Sequence, residues 1–231
     1  MTVETPRRPL RPKLMSFDVF GTLISVRDSS YGAFERILGS AGADRIDVKA
    51  FWEHWEHQNI KHYWERPYRS YRDICQRSLA ETFAHFDVGA DSGLIGYYFD
   101  AFPAFFLYDD VVRTLELLAR RYKLAVVSNI DDDLLAQTPL RRDFDLVCTA
   151  QRAQGYKPDG TLFRYLIDNA GVAKEDILHS GQSQFTDLVG GKPLGLTIAW
   201  INRRHLALDD AVPRPDFILP DIASLSGVVE F

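Results

Sequence analysis

Four times in this chain a short apolar run rich in strand formers ends at a polar residue and a turn or loop. The first is Lys13 to Phe20, which presents Asp18 within Phe17-Asp18-Val19-Phe20-Gly21-Thr22-Leu23. The second is Leu124-Ala125-Val126-Val127-Ser128-Asn129. The third, Phe144 to Ala150, leads to the loop Gln154-Gly155-Tyr156-Lys157-Pro158-Asp159-Gly160, in which Pro158 and Gly160 mark the approach to a helix. The fourth is Ile177-Leu178-His179-Ser180-Gly181, continued by Gln182-Ser183-Gln184-Phe185-Thr186-Asp187, with Asp187 near the start of a helix. Gly190, Gly191 and Gly195 then precede a last run, Leu196 to Ile201. Strands alternating with helical patterns build βαβ units, so a doubly wound α/β fold on a parallel sheet is expected. Ligands of such sheets bind outside the carboxyl ends of the strands, where the polar residues ending these runs would meet.

Asp18 is the sharpest of these residues. An Asp at a strand end, followed by a Gly that tolerates unusual backbone geometry, is a candidate nucleophile or metal ligand. The plainer alternative is an Asp that caps the next segment.

Taken together, the motifs resemble those of the haloacid dehalogenase superfamily, whose members carry a strand-end Asp nucleophile, a Ser or Thr, a Lys and a final acidic motif in this order. Asp18, Ser128, Lys157 and Asp187 match them one by one over about Lys13 to Thr22 and Leu107 to Asp221. The resemblance implies a Rossmann-like core with an inserted helical cap. Phosphatase members carry Asp-x-Asp at the first motif, the second Asp protonating the leaving alkoxide, and a Gly-Asp before the final Asp that helps to hold Mg²⁺. Here those positions are Phe20 and Gln182. A Gln amide is a neutral substitute for a carboxylate on a hard cation. A halide leaving group needs no proton, so the two absences suit cleavage of a carbon–halogen bond without cofactor or metal.

Asp-Val-Phe-Gly-Thr and Ala199-Trp200-Ile201-Asn202-Arg203 are most similar to the L-2-haloacid dehalogenase branch. That resemblance implies that Asp18 attacks the substrate carbon. Lys157 would stabilise its carboxylate and the later oxyanion, and Asp187 would orient Lys157 or activate water. Thr22, Ser128 and Asn129, with Phe20 beside them, would bind the substrate, a small organic acid. The chain departs from the branch at three places. The Arg that follows a cap-helix Trp is Glu56 after Trp55, the Tyr six residues after the Lys is Phe163, and Ser-x-Asn becomes Gln182 and Gln184. Arg66, Arg69 or Arg72 could supply a cationic clamp instead. The alternatives to dehalogenation are strained-ring opening, a Mg²⁺-dependent phosphatase with a degenerate site, and a non-catalytic interaction protein.

The expected organisation is a flexible Pro- and Arg-rich leader over 1–12, a core formed by 13–25 and 107–231, and a helical cap over 26–106. In the cap, a helix from about Val48 to Arg66 holds Phe51, Trp52, Trp55, Ile60, Tyr63 and Trp64. Such aromatic density suits packing within the cap, a roof over the substrate, or a homodimer. His54 and His57 share a helix face but want a third ligand for a metal. Tyr97 to Tyr108 reads as hinge packing or an apolar pocket wall, and Asp131-Asp132-Asp133 as the acidic start of a helix. Cys75 and Cys148 read as buried thiols. A net charge of -5 argues against nucleic-acid binding. No apolar run approaches the roughly 18 residues of a membrane span, and no signal-peptide core is evident. A cytoplasmic location is expected.

Overall fold

Six parallel strands form one sheet in the computed structural model, which describes residues 9–230. They are β1 (Leu14–Phe17), β2 (Lys123–Ser128), β3 (Leu146–Thr149), β4 (Ile177–Gly181), β5 (Thr197–Ile201) and β6 (Phe217–Leu219), in the order β3-β2-β1-β4-β5-β6. The doubly wound order expected from the alternating runs is present. The chain winds outward from β1 to β3, then returns to the other side of β1 for β4, so the topological switch lies between β1 and β4. Both strands are buried along their whole length, which is why they read as near-continuous apolar runs. β6 escapes the sequence pattern because it is only three residues long and follows Pro213 and Pro215 closely.

The helices are α1 (Val26–Ser40), α2 (Val48–His62), α3 (Tyr71–His85), α4 (Gly96–Asp100), α5 (Val111–Leu118), α6 (Asp132–Gln137), α7 (Ala150–Ala153) and α8 (Thr161–Asn169). The first four lie between β1 and α5 in the chain, and α2 packs along α3. Asp47 caps α2 by accepting from the Ala50 N–H, and Ser70 caps α3 through the Asp73 N–H. α2 ends at His62, short of Arg66, and Pro67 bars it from running on through that residue. Its aromatic residues divide between two tasks. Phe51 packs on Phe83 and Phe86 within the cap, while Trp55 packs on Phe34 at 4.9 Å and Tyr98 at 5.0 Å and also reaches the cavity described below. Trp64 points to solvent. Along Tyr97 to Tyr108, the buried rings of Tyr98, Phe99, Phe102 and Phe105 pack on one another and do not line the cavity.

Several residues serve differently from their local pattern. Asp131 is the N-cap residue of α6, yet its carboxylate accepts the Tyr71 and Arg72 N–H groups at 3.0 and 3.1 Å and so caps α3 from across the molecule. Asp132 pairs with Arg152 and Asp133 with Arg72. His54 bonds Thr82 and stacks on His85, while His57 is exposed. Among the described residues no three or more His, Cys, Asp or Glu side chains gather to hold a metal. Cys75 and Cys148 are buried and free. Leu10 pairs with Val229, tying the last part of the Pro- and Arg-rich leader to the core, while residues 1–8 of that leader lie outside the described residues. No described helix is long and apolar enough to cross a membrane.

Candidate active site

Asp18 follows β1 directly, and its N–H donates to the Ser180 carbonyl of β4 at 2.9 Å, which fixes it at the topological switch. The Val19 carbonyl then accepts from the Leu23 and Ile24 N–H groups, closing a tight turn. Gly21 takes a φ of +86° there, a geometry that favours glycine, and a Cβ on it would strike the Gln182 side chain at 2.8 Å. The turn brings the Thr22 hydroxyl back to donate to Asp18 Oδ2 at 2.8 Å, while the Thr22 oxygen accepts the Gln182 N–H at 2.9 Å. Arg203 grips the same turn from outside, donating to the Thr22 carbonyl at 3.0 Å and pairing with Asp110.

Lys157 reaches this turn from the loop before α8. The side chain of Asn129, just past β2, anchors that loop by accepting the Lys157 N–H and donating to the Lys157 carbonyl. The Lys157 Nζ donates to Asp18 Oδ1 at 2.7 Å, Asp187 Oδ1 at 2.8 Å and the Val127 carbonyl at 3.0 Å, which uses all three of its protons. Burial would lower this ammonium, but the two carboxylates outweigh burial and hold it charged.

Asp187 sits in a one-turn π-helical segment, Gln184–Leu188, rather than at an ordinary helix start. Ser183 shapes the turn by accepting the Thr186 N–H. Asp187 Oδ2 accepts the Ser183 N–H at 3.0 Å, and Oδ1 lies 3.2 Å from His179 Nε2. His179 stands opposite Ser16 in the β1/β4 register, and Ser16 Oγ lies 2.9 Å from His179 Nδ1. An ionised Asp187 accepts from Nε2–H, which leaves Nδ1 to accept from Ser16. Burial would raise Asp187, but Lys157 and the His179 hydrogen bond keep it well below the usual carboxylate range. For Asp18 the balance falls the other way: burial, with Asp187 nearby, raises its carboxyl despite Lys157 and Thr22.

These groups floor a cavity of about 110 Å³, small beside the roughly 300–1,000 Å³ of typical ligand pockets, so a small substrate is called for. Asp18, Phe20, Ser128, Asn129, Lys157 and Gln182 line the floor, and Trp52, Trp55, Glu56, Asn59 and Tyr63 come from α2 and the turn after it. The structure thus brings together Asp18, Lys157 and Asp187, and places Phe20, Ser128 and Asn129 on the cavity. Thr22 does not line it: that hydroxyl is engaged beneath Asp18, a positioning task rather than substrate contact. Asp187 is buried behind Lys157 and does not line the cavity, a placement suited to orienting Lys157. None of the three clamp candidates reaches the cavity. Arg66 pairs with Asp159, Arg72 with Asp133, and Arg69 is exposed.

A model of the haloacid dehalogenase-like hydrolases matches residues 12–195. The chain belongs to that family. An (S)-2-haloacid dehalogenase of Pseudomonas sp. (strain YL) is 26% identical over 227 residues, covering 94% of this chain and 93% of that protein. Haloacetate dehalogenase H-2 of Moraxella sp. (strain B) is 25% identical over 215 residues, covering 89% and 92%. The solved L-2-haloacid dehalogenase from Xanthobacter autotrophicus superposes with a TM-score of 0.80 at 22% identity, over 93% of this chain and 96% of that one.

The family also holds magnesium enzymes, and the donor set here does not fit that ion. The Asp187 oxygens are taken by Lys157, His179 and the Ser183 N–H, and the Gly-Asp position is Gln182.

Sequence reasoning passed over His179 and Ser16, although each is a polar residue inside an apolar strand, which was the available signal. Trp52 was read only as part of an aromatic helix, and Glu56 only as a missing arginine.

Proposed function

We propose that this hydrolase cleaves a carbon–halogen bond in a small 2-haloacyl compound through an ester on Asp18, without a metal. The observation that carries this reading is the Lys157 ammonium held between Asp18 and Asp187, at 2.7 and 2.8 Å, in a site with Phe20 and Gln182 at the acid and metal positions of a phosphatase. An Asp18 carboxylate oxygen attacks the carbon bearing the halogen, and halide departs with the bonding electron pair, so no acid is needed. Water then adds to the Asp18 carboxyl carbon. Lys157 stabilises the oxyanion that forms, and collapse releases the hydroxylated product and restores the Asp18 carboxylate, one proton of the water passing to the departing alkoxide and the other to solvent. The two dehalogenase relatives support the reaction, since their names specify dehalogenation, of 2-haloacids and of haloacetate.

The test is halide and phosphate release by the purified protein from 2-haloacyl compounds and phosphate monoesters, with EDTA and with added Mg²⁺. Halide release indifferent to EDTA is expected. A single turnover in heavy-oxygen water should then place the label on Asp18 and not in the product. Magnesium-dependent phosphate release in place of halide release would overturn the assignment.

A further inference from the structure

The cavity's roof carries an acid with no partner. Glu56 lies on α2 among the lining residues, and among the described residues no hydrogen bond or ion pair engages its carboxyl. Arg27, the nearer cation, is paired with Glu53 at 2.9 Å, and Arg204 is exposed and off the cavity wall. Burial raises the Glu56 carboxyl despite both arginines, so it is a full negative charge and an acceptor-only group at a pH above the ordinary glutamate range. The lining therefore holds two acids, Asp18 and Glu56, and one cation, Lys157, whose charge also balances Asp187 behind the wall. Among the described residues, a substrate carboxylate entering here meets an excess of negative charge with no cation of the lining free to receive it.

Three further residues of the wall bear orphaned polar atoms. Trp52 Nε1, Asn59 Oδ1 and Ser128 Oγ are buried without a hydrogen-bond partner. Asn59 Nδ2 already donates to the Trp55 carbonyl, so only its acceptor is unmatched. Buried polar groups are normally satisfied, and three buried unmatched atoms around one cavity, beside the half-buried and unpaired Glu56 carboxyl, point to a ligand that matches them. The unmatched set contains acceptors, Asn59 Oδ1 and the Glu56 carboxyl, and donors, the Trp52 N–H and the Ser128 hydroxyl. An amide or hydroxyl offers both kinds of partner. An ionised carboxylate offers acceptors alone and leaves Glu56 and Asn59 facing it.

We propose that Glu56 is a specificity-determining residue that selects an uncharged 2-halo compound bearing a hydrogen-bond donor, such as a 2-haloamide, over the 2-haloacid ion. The proposal rests on the dehalogenase reading for its reaction and on the cavity wall for its selectivity. Rejection of the acid is built from an unpaired like charge rather than from shape, since the amide and the carboxylate are nearly isosteric.

Propionamide and propionate, which have no halogen to lose, separate binding from chemistry. In ligand-observed NMR titrations at pH 8, wild-type protein is expected to bind propionamide at least about tenfold more tightly than propionate. Glu56→Gln should narrow that ratio and Glu56→Arg should reverse it. Halide release from 2-chloropropionamide and 2-chloropropionate should follow the same order, with the change in KM. Equal binding of the two probes, binding of neither, or a preference that survives both substitutions overturns the proposal. The amide preference without halide from either chlorinated compound would instead refute the dehalogenase reading and leave the selectivity standing.

Discussion

Replacing Lys157 by Met keeps an unbranched, flexible stem in the loop and removes only the charged head. The head makes two charge-assisted bonds, to Asp18 and Asp187, and one to the Val127 carbonyl. Charge-assisted hydrogen bonds are worth about 1.5–3 kcal/mol each, and breaking a buried pair by deleting one partner costs about 3–5 kcal/mol. These overlap, so the expected loss near neutral pH is about 3–5 kcal/mol and not their sum. Its pH dependence carries the sharper test. In the wild type Asp187 is depressed, so its contribution is present above the unfolded value, near 3.9, and is lost as pH falls through the lower folded value. In Lys157→Met, burial and the proximity of the two acids are unopposed, and at least one carboxyl is raised. A raised group stabilises fully below its unfolded value, and that stability is lost as pH rises through the folded value. Relative to wild type, the variant should therefore be penalised most at pH 8 and least at pH 5, read from urea unfolding followed by circular dichroism. A penalty under about 1 kcal/mol at pH 8, or one equal at both pH values, would refute the electrostatic account of the site.

Asp18→Asn should abolish halide release while leaving the urea midpoint near or above that of wild type, and retained turnover would exclude the nucleophile. Because burial raises the Asp18 carboxyl, kcat/KM should fall with decreasing pH through a midpoint above the ordinary value of 3.8, measured from pH 4 to pH 8. Gly181→Ala would set a Cβ 2.3 Å from Asp187 Oδ2, so Asp187 must move. A loss of about 1–3 kcal/mol in unfolding experiments and a steep drop in turnover are expected, and a wild-type variant would refute the placement. His179→Leu should cost about 1–3 kcal/mol through the orphaned Ser16 hydroxyl and the freed Asp187, with kcat falling more than KM rises. His179→Gln should recover part of both.

The parallel sheet was legible because its buried strands are largely apolar and because each candidate catalytic side chain follows such a run. Asp18, Ser128 and Lys157 could be located from local pattern alone, since strand ends and turn residues are local events. The task of Thr22 was not legible: whether its hydroxyl meets a substrate or Asp18 depends on which way a tight turn folds back. Asp131 shows the same limit. Its position ahead of a helix predicts capping of that helix, but its carboxylate caps α3, distant in sequence, because the fold sets the N-terminus of α3 against it. The clamp candidates failed for a related reason. Arg66, Arg69 and Arg72 surround the entrance to α3, where Pro67 and the end of α2 set a direction that helical periodicity does not carry.

The two departures at Phe20 and Gln182 form one device and not two losses. Phe20 rests on Phe102 at 5.7 Å, and the Gln182 side chain lies against Gly21 in the next step of the same turn. Together they give Asp18 a neutral flank on the side where a cation would otherwise stand. The charge of the buried cluster is then Asp18 and Asp187 against Lys157, an excess of one negative charge held at Asp18. On the proposed route ester formation would remove that excess: the Asp18 carboxylate would become neutral, halide would carry the charge to solvent, and Lys157 would be left matched with Asp187. Desolvation that raises the free Asp18 carboxyl therefore favours the alkylated state over the resting one. A bound cation would stabilise the resting carboxylate and weaken the attack, so the apolar flank beside Asp18 supports substitution at carbon.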